Sequence, residues 1–185
     1  MKHKKNKSAK CKCCGLIKDK LDVSICLSVL KNVDFIKDSD QKFDLYESLI
    51  DNSFEWACDK CINDKRALIA NPSQQKDTYS PYLTYYSVNL NCKKCGNEFT
   101  FTKEEKKLWY EELKFFRESM PLNCLNCRKE IRIFKIQNKI LSQILKKDVK
   151  EMSIEELSQI TKIYYEWDKT DKFNFYSKIL KTRQN

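Results

Sequence analysis

Eight cysteines stand in four pairs of one spacing: Cys11/Cys14, Cys58/Cys61, Cys92/Cys95 and Cys124/Cys127. A C-x-x-C turn points two sulfurs the same way, and two such turns supply the tetrahedral four-thiolate set of a zinc ion, with Zn–S distances of about 2.3 Å. Turns this tight favour a residue that adopts positive φ just after the second cysteine. The chain has only two glycines, Gly15 and Gly96, and each occupies that place. The order C-x-x-C-G, spacer, C-x-x-C therefore occurs twice. It predicts sequential pairing, Cys11 and Cys14 with Cys58 and Cys61, then Cys92 and Cys95 with Cys124 and Cys127, and two zinc ions per chain. An interleaved cross-brace is the alternative pairing, and four thiolates also hold iron. Cys13 and Cys26 fall outside the pattern, as a spare thiol beside the first site and a core residue respectively.

A closed four-thiolate site leaves zinc no open position for water or substrate, so its expected role is structural. The rest of the inventory agrees. His3 is the only histidine, which excludes histidine-based triads and zinc-histidine hydrolases. A zinc nucleobase deaminase needs H-x-E, which is missing. Two glycines already committed to turns cannot build a phosphate-cradling loop. The adjacent acids Glu104/Glu105 and Glu111/Glu112 read as solvated helix faces. The chain is expected not to be an enzyme and offers no evident small-molecule site.

Ten cysteines in a chain whose basic start lacks the apolar core of a signal peptide point to metal rather than disulfides, and to the cytoplasm. No run approaches the ~18 apolar residues of a membrane span. The net charge of +10 is unevenly spread: +6 over residues 1–12, −2 over 13–127 and +6 over 128–185. With two zinc ions on eight thiolates the middle falls to about −6. Attraction to phosphate would lie in the ends.

Around these thiols the sequence predicts an α+β chain: two small four-cysteine modules followed by helices. We read 1–10 as a basic flexible tail, 11–70 as an N-terminal zinc module, 71–81 (NPSQQKDTYSP) as a linker, 82–130 as a second module and 131–185 as C-terminal helices. VSICLSVL predicts a strand or hairpin; Phe43, Leu45, Leu49, Ile50 and Phe54 then form a helix-like run toward Cys58. YLTYYSVNL and EFTFT have strand composition. Thr102 with Glu105 makes a capping box that opens a helix of about four turns, to roughly Glu118. Past Cys127, Ile133, Ile136, Ile140, Leu141, Ile144 and Leu145 make an apolar helical stripe. Ser153 with Glu156 is a second capping box, and KFNFYSKILK is a last helix.

Residues 88–130, with Cys92, Cys95, Phe99, Phe101, Thr102, Pro121, Cys124, Cys127 and Arg128 on its pattern, resemble the bacterial probable zinc-ribbon family. The resemblance implies four cysteine ligands on a treble-clef-like or ribbon scaffold, and no particular activity. Family members commonly carry Gly-Glu-Gln where this chain has Lys103-Glu104-Glu105.

Function then falls to a binding surface. Arg128, Arg132, Lys135, Lys139 and Lys146 recur at helical steps and form a basic stripe opposite the apolar one, suited to a nucleic-acid backbone. Tyr79, Tyr82, Tyr85 and Tyr86 are candidates for stacking on bases, though more expected in sheet and core. The competing expectation is a protein-binding adaptor or inhibitor whose zinc sites only hold the scaffold.

Overall fold

The computed structural model describes residues 9–33, 36, 44–51, 54–76 and 80–184. The basic segment 1–8 with His3, and also Phe43 and Tyr79, lie outside the described residues. The chain divides into two compact units, Met1–Cys124 and Leu125–Asn185. The cut falls inside the last cysteine pair.

The first unit opens with the antiparallel pair β1 (Ala9–Lys10) and β2 (Ile17–Lys18), joined through the first cysteine turn. Where a strand is predicted, VSICLSVL instead forms helix α1 (Ser24–Lys31) after a 3-10 turn at Leu21–Val23. Two causes override the β-branched composition. Val23, Cys26 and Leu30 are buried at helical spacing. The Asp59 carboxylate accepts from the N–H groups of Ser24 and Ile25 at 3.0 and 3.1 Å, satisfying donors that the helix start leaves orphaned. Helices α2 (Leu45–Asp51) and α3 (Asp59–Asn63) complete this half. Its core holds Val23, Leu30, Leu49, Phe54, Trp56 and Leu83 around the buried sulfurs of Cys11, Cys58 and Cys61.

The expected linker 71–81 is closed at its base by a strand pair. β3 (Ala67–Ile69) runs antiparallel to β4 (Thr84–Tyr86), with Leu68 opposite Tyr85. Gln75 reinforces the loop, its amide donating to the Tyr82 carbonyl and accepting from the Tyr82 N–H, each at 2.8 Å. Leu83 and Thr84 also donate to the Glu55 carbonyl, three residues before Cys58. The segments read as two modules therefore share one unit, because these hydrogen bonds connect residues far apart in sequence.

β5 (Val88–Asn91) and β6 (Glu98–Phe101) form the hairpin of the second cysteine turn. Thr102 caps α4 (Lys103–Lys107), accepting from the Glu105 N–H at 3.1 Å. The helix then widens into a π-turn, Leu108–Glu112, and ends before Lys114 at φ 54°, short of the predicted Glu118. The wider turn buries Tyr110 and Glu111 together. Tyr110 stacks on Tyr82 with centroids 4.7 Å apart, and Glu111 accepts from the Asn71 N–H at 2.7 Å. Tertiary contacts of this kind decide helix length against local propensity.

The second unit comprises α5 (Leu125–Ile144), α6 (Ile154–Glu166) and α7 (Thr170–Gln184). The Ser153/Glu156 capping box forms in full. Asp168, at φ 52°, makes the break between α6 and α7 that the sequence signals weakly. Leu141 and Ile144 pack with Leu157, Ile160 and Tyr164, while Arg183 donates to the Val149 carbonyl at 2.7 Å and pins the end of α7. The predicted apolar stripe of α5 is only partly used: Ile133, Ile136 and Leu145 are exposed.

Candidate metal centres

Each cysteine turn is built by the same backbone ladder. Cys11 N–H donates to the Leu16 carbonyl at 2.9 Å and Gly15 N–H to the Cys11 carbonyl at 2.8 Å. In the second turn, Cys92 N–H donates to Asn97 and Gly96 N–H to Cys92, both at 2.9 Å. Gly15 and Gly96 have φ of 72° and 75°, the left-handed conformation that a side chain would strain. The second pair in each site opens a helix. Cys58 is the residue before α3 with Cys61 inside it, and Cys124 precedes α5 with Cys127 in its first turn. Helix starts present N–H groups and positive potential to thiolates.

The eight predicted ligands converge as two groups, Cys11, Cys14, Cys58 and Cys61, and Cys92, Cys95, Cys124 and Cys127, with the sulfurs of each group within 4.8 Å of one another. In the first, Cys11–Cys61 is 4.0 Å, Cys14–Cys58 3.9 Å and Cys58–Cys61 3.5 Å; in the second, Cys95–Cys124 is 3.9 Å. A tetrahedron with metal–sulfur bonds of about 2.3 Å has edges of about 3.8 Å. Pairing is sequential, and both groups fit zinc in spacing and donor type. None of the cysteines forms a disulfide.

The electrostatics of the thiols differ between the sites. In the first, desolvation pushes Cys61 far up and raises Cys58. At Cys14 desolvation is outweighed by hydrogen bonds from the Leu16 backbone and neighbouring thiols, which bring it to about 7. At Cys92 desolvation likewise loses to backbone donors at Cys95, Cys124 and Lys94, and the thiol falls to about 6. A divalent metal displaces the remaining protons. The second site is the more open one, since Cys95 is exposed whereas Cys11, Cys58 and Cys61 are buried.

The two remaining cysteines are not members of either group. Cys26 is buried, its thiol donates to the Ala57 carbonyl at 3.1 Å, and burial pushes it up to about 12. Cys13 sits beside Cys61, raised chiefly by burial.

Residues 88–133 match the family model described as a probable treble clef domain. The likeness read from the cysteine turn, the F-x-F-T strand and the final C-x-x-C-R is thus borne out over that quarter of the chain. Residues 9–63 repeat its plan of hairpin, cysteine turn and helix-borne pair, outside the matched range. No curated protein and no solved structure matches the chain.

Of the predicted basic stripe, Arg132, Lys135 and Lys139 are exposed on α5, Arg128 is half-buried, and exposed Lys146 lies past the end of the helix. Tyr82 and Tyr85 are buried and Tyr86 half-buried, so they are core residues rather than stacking surfaces. Sequence reasoning missed Lys106, which is buried with its Nζ 4.6 Å from the Tyr86 ring centroid. No described helix is long and apolar enough to cross a membrane.

Proposed function

We propose that the protein is a non-catalytic zinc scaffold that presents the basic face of α5 to a nucleic-acid backbone, and that it works in the cytoplasm. Four sulfurs fill the coordination of each zinc and leave no position for substrate, which supports a structural role for the metal. The observation that carries the binding reading is the exposed row Arg132, Lys135 and Lys139, with Arg128 beside it, in a helix of five cations and one acid. Contact with three or four phosphates gives a slope of log K against log salt of about −2.7 to −3.6, a loss of roughly 40- to 150-fold between 50 and 200 mM salt. Fluorescence anisotropy against salt tests this. Undetectable binding at 50 mM salt to any nucleic acid would end the reading.

A second reading, a protein adaptor, is favoured by one loop of the first unit. Leu113, Phe115, Phe116, Met120 and Leu122 are all exposed there, and concentrated apolar exposure marks protein contact. A partner that survives nuclease treatment and is lost with Phe116→Asp would support it.

A further inference from the structure

We propose that the nucleic acid is duplex DNA and that the first four turns of α5 lie in its major groove. This rests on the phosphate-binding reading of the same helix and names its ligand.

The face has two adjoining strips. At 100° per residue, Arg128, Arg132, Lys135 and Lys139 fall within an arc of about 60°. Leu125, Ile136 and Ile133 occupy the next arc, and all three are more than half exposed, at 56, 53 and 54%. Beyond Lys139 the helix is committed elsewhere, with Ile140, Leu141 and Ile144 packed in the core of the second unit. On the far side, Phe134 leans on Trp167 with centroids 4.8 Å apart, and Gln137 accepts from the Trp167 indole N–H at 2.7 Å. The exposed cations Arg132, Lys135 and Lys139 and the isoleucine strip are therefore left for a ligand that offers anions along one edge and apolar groups beside them.

Duplex DNA has that chemistry. Its major groove is about 12 Å wide, matches a helix of about 10–12 Å diameter, and displays thymine methyl groups between two phosphate rows. The rise from Leu125 to Lys139 is about 21 Å, enough to cross the groove. A-form RNA closes its major groove to side chains, so a helix of this kind does not enter it. Single strands are held by exposed ring faces, and neither strip of α5 carries an aromatic residue. In this placement the cations hold the phosphates while Ile133 and Ile136 meet the methyl groups.

The test uses the full-length zinc-loaded chain and anisotropy with a thymine-rich DNA duplex, the same duplex with uracil for thymine, the matching RNA duplex and the DNA single strand. The DNA duplex is expected to bind at least tenfold more tightly than the RNA duplex or single strand. Arg132→Ala should reduce the salt slope by about 1. Ile133→Ser with Ile136→Ser should weaken binding to the thymine duplex several-fold, leave the slope unchanged, and have little effect on the uracil duplex. These isoleucines are exposed, so unchanged zinc content and circular dichroism establish that the variant folds. Equal affinity for duplex DNA, duplex RNA and single strand would overturn the groove placement and leave the phosphate reading standing. So would equal loss with thymine and uracil. Binding to anionic vesicles but to no nucleic acid would overturn both.

Discussion

Replacing Lys106 with methionine should stabilise the protein at neutral pH. Lys106 is only 4% exposed, on the inner face of α4. Its ammonium lies 4.6 Å from the Tyr86 ring centroid and 5.8 Å from that of Phe101. Desolvation lowers its pKa from 10.5 to about 8, with attraction to Glu55 opposing. The fall corresponds to about 3 kcal/mol of penalty on the charged form, at about 1.4 kcal/mol per tenfold change in proton affinity. The sign follows from proton binding. Between pH 8 and 10.5 the unfolded chain binds more protons at this site than the folded one, so wild-type stability rises across that window and the penalty is fully felt below pH 8. Methionine keeps the length of the side chain and removes the charge. Lys106→Met should therefore gain up to about 3 kcal/mol at pH 7 and only about 1 kcal/mol at pH 10, where the folded wild-type amine is already neutral. Urea unfolding of both chains, zinc-loaded, at pH 7 and 10 measures this. No gain at pH 7, or a gain unchanged at pH 10, would refute the reasoning, since ring and carboxylate contacts would then outweigh desolvation.

At Gly96, φ is 75° and an added Cβ would meet nothing within 4 Å, so the cost of Gly96→Ala is backbone strain alone, about 1–2 kcal/mol, while Gly96→Asn should cost less. Competition with a chromophoric chelator reads that loss as weaker zinc retention at the second site. Cys26→Ala should lower stability by about 1 kcal/mol through loss of the hydrogen bond to Ala57 and still retain both metals, as elemental analysis will report.

The chemistry of the sites was legible because it is local. A C-x-x-C pair and a following glycine specify a turn within five residues, and Ser153 with Glu156 specify a helix start within four. What escaped was decided by residues distant in sequence. The Asp59 carboxylate turns VSICLSVL into a helix 34 residues away. Glu55 and Gln75 tie the supposed linker shut. The stacking of Tyr110 on Tyr82 replaces the last turns of α4 with a π-turn. Of the basic stripe, Arg128, Arg132, Lys135 and Lys139 lie on α5 and Lys146 past its end, and periodicity could not say that Ile133 and Ile136, expected in the core, stand exposed.

The central claim is that two closed four-thiolate sites each hold a structural zinc ion on which the fold around them depends. Elemental analysis of the purified chain, repeated on Cys92→Ser and followed by circular dichroism during chelation, tests it most directly. The account predicts two zinc per chain, one in the variant, and loss of structure as metal is withdrawn. One equivalent in the intact chain, iron in place of zinc, or a fold indifferent to the chelator would contradict it.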